Sequence, residues 1–313
     1  MALAQERHGL AARARVLRGH ASLALDEYLA AGEAFDQART SAARAGSSEA
    51  SVEALIGSVE NLIQQERLDE AERQAALAWA EIEGRRLSPR RRHEFEMALG
   101  RLMVRRGHHA EAEDHFSRAA AVLPPDAPGR RALVLETMVP LGKSLLLLGR
   151  VGEAKAMWKR ALEGLAELRG AGHPQVLTLR LNLAYLTGRE GDHETAAAEL
   201  AAVLAAQERT LGFDSPRLAS TLVALANSLG ILGQREAALA HLRRAQVLSR
   251  NHLRNDHGLN ILIGLELAHY AAESGQLDAA EAELRRIGPH IDPRDVEHTT
   301  RYERLRVRVA QRG

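Results

Sequence analysis

The chain contains no cysteine, and aromatic residues make up only 3% of it. Without cysteine it has no disulfide, no thiolate nucleophile and no Cys-based zinc site. With so few rings, a large core must be built mainly from alanine and leucine, whose small side chains favour close helix packing. Scarce aromatic residues also argue against binding single-stranded nucleic acid, which uses such rings to stack the bases.

The chain also lacks an excess of charge and a long apolar segment. Its 42 Lys and Arg residues nearly balance 41 Asp and Glu residues, so the formal net charge is +1. Such a molecule has no strong overall field to attract nucleic acid or a membrane surface. No apolar run approaches the roughly 20 residues that a membrane-spanning helix requires. We therefore expect a soluble, cytoplasmic protein with neither nucleic acid nor membrane among its partners.

Motifs that carry catalysis are missing as well. The sequence has no Gly-x-Ser-x-Gly, no His-Glu-x-x-His and no Gly-x-Gly-x-x-Gly. The segment 142–144 (Gly-Lys-Ser) imitates the end of a phosphate-binding loop, but Thr137 stands where that motif needs glycine. The cluster His108, His109, Glu111 and His115 is better explained as a solvated helix face than as a metal site. The sequence therefore predicts no enzymatic activity, no metal and no cofactor.

What the chain does contain is a repeat of 42 residues. Glycines recur at that interval at five positions: Gly107, Gly149, Gly191, Gly233 and Gly275. Eight residues before each glycine stands a leucine, called here the column leucine, and it is followed by a small residue, Gly or Ala. Five residues after each glycine stands an alanine, and four residues after that alanine stands a large apolar residue. The step of four lies along one helix face, and the glycine permits the positive φ that ends the first helix. Each unit is predicted to be a helical hairpin, and two looser units precede these five, with Asp26 and Glu66 in their turns.

These columns resemble a known family. Leu99-Gly100, Ala112 with Phe116, and Pro124 are spaced as in the tetratricopeptide repeat, although Glu96 and Met103 replace its expected Trp and Tyr. The 42-residue period is similar to that of the kinesin-light-chain-like subclass, and the loops 170–174, 212–216 and 254–258 resemble its Gly-x-Asp-His-Pro loop. Ser88 and Ser215, each followed by proline, are predicted to be helix N-caps.

The resemblance implies an all-α fold: a right-handed superhelical α-solenoid of about seven antiparallel helix hairpins plus a C-terminal capping helix. We place the repeat array in residues 1–291 and the capping helix with a basic tail in 292–313. The predicted hairpins span about 12–45, 52–85, 93–126, 135–168, 177–210, 219–252 and 261–290. The tail carries Val296, Tyr302, Leu305 and Val309 among many charges, which suits a helix that covers the last hairpin.

In the fold that this chain resembles, the first helix of each hairpin lines a concave groove. The residues two positions before and two positions after each column leucine are then expected to face a ligand. Arg105 and Arg189, one helical turn further along the same helix face, are expected to do the same. The predicted groove residues are Met97, Arg101, Arg105, Val139, Lys143, Leu181, Tyr185, Arg189, Val223, Asn227, Leu265 and His269. The alternative for the apolar members is that they pack one hairpin against the next. Their mixture of apolar and polar side chains would complement a peptide with apolar anchors and some acidic residues.

Arginines crowd two places. Arg85, Arg86, Arg90, Arg91 and Arg92 lie in one connector, and Arg301, Arg304, Arg306, Arg308 and Arg312 lie in the tail. They form either solvated basic segments or a surface for an acidic or phosphorylated partner.

Two functions fit these observations. The first is a protein-protein interaction scaffold whose concave groove binds a peptide segment of a partner. The second is the sensor or regulatory region of a larger bacterial signalling protein, such as a Ser/Thr kinase or a transcription regulator, because no cap comparable to the last helix precedes the first repeat. The partner, the biological process and the oligomeric state are left open by the sequence.

Overall fold

A computed structural model describes residues 2–83, 88–250, 257–293 and 295–311. Within these ranges the regular structure is entirely helical, which confirms the predicted all-α class. The α-helices are α1 (Ala2–Ala24), α2 (Tyr28–Ala45), α3 (Ser48–Gln64), α4 (Leu68–Ile82), α5 (Pro89–Arg105), α6 (His109–Ala121), α7 (Arg130–Leu147), α8 (Val151–Arg169), α9 (Pro174–Arg189), α10 (His193–Leu211), α11 (Ala219–Ile231), α12 (Arg235–Arg250), α13 (Gly258–Glu273), α14 (Leu277–Ile287) and α15 (Val296–Ala310). Two 3-10 helices, Pro216–Leu218 and Gly288–His290, precede α11 and follow α14.

Consecutive helices pair as hairpins, from α1 with α2 to α13 with α14, and α15 follows the last pair. Seven hairpins plus a final helix agree with the predicted fold class. Contacts between Cα atoms divide the chain into two compact units, Met1–Gly164 and Leu165–Gly313, and the division falls inside α8. We call them unit 1 and unit 2.

The turn between the two helices of a hairpin requires a left-handed residue. The predicted turn glycines adopt it, as at Gly149 with φ 80° and Gly233 with φ 81°. In the first two hairpins Asp26 and Glu66 occupy the same place with φ 61° and 60°. A residue with a side chain is less stable in this conformation by roughly 1–2 kcal/mol. Asp26 and Glu66 therefore make these two turns less stable than the turns that have glycine.

The Gly or Ala that follows each column leucine forms the small-residue column. It lets a large side chain of the second helix of the hairpin pack closely against the first helix. A Cβ atom at Gly100 would lie 2.5 Å from the Phe116 ring, and one at Gly142 would lie 2.3 Å from Nε1 of Trp158. Both rings are buried. Gly142 is thus explained by packing inside α7, and the segment 142–144 is a helix interior rather than a phosphate-binding loop.

The two predicted serine caps differ. The Ser88 hydroxyl accepts a hydrogen bond from the Arg91 amide at 3.3 Å and caps α5. Ser215 makes no such side-chain bond, because Pro216 begins a 3-10 helix instead of the α-helix itself. The prediction for Ser215 was wrong. In the loop before α9 the capping acceptor is His173 Nδ1, 3.3 Å from the Gln175 amide, while loop residues 254–256 lie outside the described residues.

Helix α15 covers the last hairpin of unit 2. Leu305 and Val309 are buried against a core cluster that includes Ala268 of α13 and Leu284 of α14. Val296 at the start of the helix stays exposed. The predicted capping helix is therefore present, and its apolar contacts come from Tyr302, Leu305 and Val309.

Candidate functional site

The predicted apolar groove residues divide by burial. Met97, Val223 and Leu265 are buried within core clusters of their own units. They stabilise the stacking of hairpins, and the site proposed below does not include them. Val139 and Leu181 are half-buried, and the Val139 carbonyl accepts a hydrogen bond from Trp158 Nε1 at 2.9 Å.

The predicted cations of unit 1 lie along the first helices of hairpins three and four. Arg101 is paired with Glu60, and Arg105 Nη2 lies 3.1 Å from Glu66 Oε1. Lys143 is open to solvent, yet its pKa is lowered because protein atoms surround and desolvate it and because Arg105 lies nearby. Glu66 opposes this shift. Solvent access combined with desolvation is the property of a concave surface.

The His109 ring is close enough to Lys143 to interact with its charge. Its Nδ1 is buried without a hydrogen-bond partner in the part of the chain that the structure describes. Desolvation, then the charge of Lys143, lower its pKa, so the ring is held neutral. The sequence had suggested only a solvated face at His109.

Four predicted groove residues of unit 2 meet in one pocket of about 430 Å³. They are Tyr185 and Arg189 of α9, Asn227 of α11 and His269 of α13. Tyr185, Asn227 and His269 occupy the same position of three successive 42-residue repeats, so the regular stacking of hairpins places them side by side. The remaining lining residues are Gly188, His193, Leu200, Ala224, Ser228, Ile231, Glu266, Tyr270 and Arg301.

The mouth of this pocket is apolar. Tyr185 and Ile231 line it with 45% and 64% of their surfaces exposed. A large apolar side chain left in water beside a concavity is typical of a surface that takes up a partner.

Polar groups inside the pocket lack partners. Asn227 Oδ1 and His193 Nδ1 are buried and make no hydrogen bond among the described residues. Tyr185 and Arg189 are exposed, and within the same described part of the chain neither side chain has a hydrogen-bond or ion-pair partner. The buried, unpaired atoms of Asn227 and His193 cost about 1–3 kcal/mol each, and a bound ligand would remove that cost.

One wall of the pocket is a buried ion pair that sequence reasoning missed. Glu266 of α13 is buried, and its Oε1 lies 2.6 Å from Arg301 Nη2 of α15. Beside it, burial and then the charges of Glu266 and Glu273 raise the pKa of Tyr270 to about 12. The Tyr270 hydroxyl is therefore protonated near neutral pH and available as a donor. Glu266 directly precedes the column leucine Leu267, and no sequence signal pairs it with a residue 35 positions away.

Five of the seven described arginines in the two basic segments are paired with glutamates. Arg91 lies 2.5 Å from Glu53 and also pairs with Glu94. In the tail, Arg306 and Arg308 lie 2.9 Å and 3.3 Å from glutamates. Residues 85, 86 and 312 lie outside the described residues. These segments mainly tie neighbouring helices together.

The other candidate for ion binding is also accounted for. His115 Nδ1 lies 2.7 Å from Glu96 Oε2, so this pair links α6 to the buried Glu96 of α5. No group of three potential metal ligands occurs within the described residues. In the same ranges no helix is both long and apolar enough to span a membrane.

Part of the chain matches a known protein family. Residues 133–209 match the family model described as tetratricopeptide repeat, which confirms the resemblance seen in the sequence. No curated protein sequence matches the chain.

Solved structures with a similar architecture include the following three. BtubC (BKLC) from P. vanneervenii is 20% identical, with 84% of this chain and 92% of that chain covered and a TM-score of 0.52. A Rap protein complexed with competence and sporulation factor is 11% identical, with 96% and 79% covered and a TM-score of 0.68. NprR in complex with its cognate peptide NprX is 12% identical, with 96% and 83% covered and a TM-score of 0.63. At these identities the similarity shows the fold.

Proposed function

Because residues 133–209 match the tetratricopeptide repeat and the chain folds as stacked helical hairpins, we propose that it is an interaction scaffold that binds a peptide segment of a partner protein. The observation that carries the proposal is the pocket of unit 2. Repeat-related positions bring Tyr185, Asn227 and His269 together around buried polar atoms that have no partner. Because buried polar atoms without partners destabilise a fold, their presence in the pocket favours a ligand that pairs with them.

The pocket chemistry specifies what it would take up. Tyr185 and Ile231 at the mouth would contact an apolar side chain of the peptide. The amide of Asn227 can donate to and accept from a peptide backbone unit, and Arg189 offers a cation to an acidic residue beside the apolar anchor. A peptide with one large apolar side chain next to Asp or Glu is the class that fits.

The cations of unit 1 support a preference for acidic peptides. Lys143 and Arg105 repel each other, and the pKa of Lys143 is lowered as a result of desolvation and this charge. A carboxylate bound there would favour the charged lysine and raise its pKa. Acidic residues in the partner therefore complement unit 1 as well.

A peptide array tests the proposal. The purified chain is incubated with synthetic 12-residue peptides that combine one Trp, Phe or Leu with zero to three acidic residues, and hits are measured again by fluorescence polarisation. Asn227→Ala and Arg189→Glu should each weaken binding of the hits by about tenfold or more, in line with the loss of a central contact of about 1.4 kcal/mol or more.

Matched controls are available in the same unit. Asn182→Ala on α9 and Arg209→Glu on α10 change the same residue types outside the pocket lining. Unchanged binding in both pocket variants, or equal losses in the two controls, would show that the pocket is not the peptide-binding site.

A regulatory role in signalling is the second candidate function. It is favoured by the fold shared with the Rap protein, whose structure is a complex with competence and sporulation factor, and with NprR, whose structure is a complex with its cognate peptide NprX. The two roles differ in the ligand: a signalling receptor takes a free peptide with charged ends, whereas a scaffold takes an internal segment. Measuring each array hit with free termini and with acetylated and amidated termini separates them, since only a receptor for free peptides should lose affinity on blocking.

A further inference from the structure

Helix α1 exposes three leucines on the side that faces away from its own unit. Leu3, Leu10 and Leu17 are 67%, 62% and 69% exposed, whereas Ala12 and Val16 on the opposite side are fully buried. The leucines are seven residues apart, which returns each of them to nearly the same angle after two helical turns. The result is one straight apolar stripe in water.

Small residues border this stripe. Ala14 and Ala21, each four positions after a leucine, are exposed on the same flank. From Leu10 to Ala21, leucine and alanine alternate in steps of four and three, which is the pattern of a helix-pairing seam, and the alanines allow a second helix to come close. The corresponding position after Leu3 is taken by the exposed Arg7. We call Leu3, Leu10, Ala14, Leu17 and Ala21 the leucine seam.

Two charges on the other flank of the seam have no partner. Glu6 and Arg13 are exposed and make no ion pair with any residue that the structure describes. They are seven residues apart and therefore lie at nearly the same angle, four residues before and three after Leu10. With a rise of about 1.5 Å per residue, they stand about 6 Å and 4.5 Å from the level of Leu10.

A two-fold axis at Leu10 makes this surface complementary to itself. The axis would turn a second α1 antiparallel, place Leu10 against Leu10 of the second copy, and place Leu3 against its Leu17. It would keep each flank on its own side, so that Glu6 would lie within about 1.5 Å of the level of Arg13 in the other copy, and the pairing occurs twice. A surface that matches itself in this way is what a two-fold dimer requires.

We propose that the leucine seam is the interface of a homodimer, formed by antiparallel packing of α1 on α1 of a second copy. A parallel arrangement would exchange the flanks, so that Glu6 would lie opposite Arg7 and Arg13 opposite Ala14 of the second copy. Only the antiparallel arrangement pairs Glu6 with Arg13.

The test is the molar mass of the full chain in solution, measured by sedimentation equilibrium over a range of concentrations. The unmodified chain should be dimeric and Leu10→Glu monomeric, because two carboxylates would meet at the axis. Leu29→Glu, at a leucine of α2 that is 80% exposed and outside the seam, should leave the dimer intact. A monomeric unmodified chain, or equal effects of the two substitutions, would overturn the proposal.

A charge exchange tests the orientation without altering the apolar residues. Glu6→Arg and Arg13→Glu should each weaken dimerisation by about tenfold, since each turns two attractive pairs into repulsive ones, and the double variant should restore it. Because the chain contains no cysteine, Leu10→Cys also provides a single thiol. A short bis-maleimide should link two copies through it and should fail with Leu29→Cys; a failure to restore or to link would refute the antiparallel seam.

Discussion

Replacing Gly142 by alanine gives a quantitative test of how the hairpins pack. The new Cβ would lie 2.3 Å from Nε1, 2.7 Å from Cδ1 and 2.8 Å from Cε2 of Trp158. The ring cannot easily yield, because it is 1% exposed and is held by the hydrogen bond to the Val139 carbonyl. Overpacking of this kind costs about 1–3 kcal/mol or more, against a gain of about 0.5–1 kcal/mol for alanine over glycine in a helix.

The later repeats show the compensating change. Where hairpin four has Gly142 and Trp158, the next three have alanine and leucine, as at Ala184 and Leu200. Trp158→Leu alone should cost about 2–4 kcal/mol, because it leaves a cavity and removes a hydrogen bond. In that background Gly142→Ala should stabilise the fold by about 1 kcal/mol, since its methyl group enters the vacated space.

Urea unfolding followed by far-UV circular dichroism measures the cycle. The expected sign reversal corresponds to a coupling energy of about 2 kcal/mol or more between the two sites. If Gly142→Ala has the same effect with Trp and with Leu at position 158, the close approach of α7 and α8 at this point is not what the glycine provides, and the reasoning fails.

Three further predictions concern other parts of the chain. Gly233→Ala should lower the free energy of unfolding by about 1–2 kcal/mol, because φ is 81° there while no heavy atom lies within 4 Å of the new Cβ; an unchanged urea midpoint would contradict it. Tyr270, whose pKa is raised to about 12, should give a late step in an absorbance titration of the tyrosines. Since the unfolded state ionises at about pH 10, its stabilising contribution is full below that pH and is lost between about pH 10 and 12, and Tyr270→Phe should abolish both the late step and this loss. Arg301→Met should destabilise α15 more than Glu266→Gln, because the Glu266 side chain is 5% exposed and that of Arg301 is 34% exposed, so the abandoned carboxylate is the costlier charge; hydrogen exchange in α15 ranks the two variants.

The sequence was sufficient for features that depend on one repeat and its period. Turn glycines such as Gly149, the small-residue column and the pocket residues Tyr185, Asn227 and His269 all follow from a local pattern repeated at a fixed step. Features that depend on two distant segments did not follow. Whether Leu265 is covered is decided by the helices packed on it, and the pairing of Glu266 with Arg301 joins a repeat to a helix outside the pattern.

The prediction for Ser215 failed for a local reason. A serine followed by proline fits the start of an α-helix and equally the start of a 3-10 turn, and residues 216–218 adopt the second form. Leu218, the last residue of this turn, is buried in the core of unit 2. Propensity at two positions could not predict which of the two forms is compatible with that packing.

The ion pair between Glu266 and Arg301 restricts how this array can lengthen during evolution. Earlier repeats carry Ala224, Asn182, Pro140 and Ala98 at the position of Glu266, so the carboxylate belongs to the last hairpin alone. A repeat inserted between α14 and α15 would separate Glu266 from Arg301 and leave a buried carboxylate without its partner. A repeat inserted before α13 would keep the pair intact, so the final hairpin and its covering helix form a single structural unit.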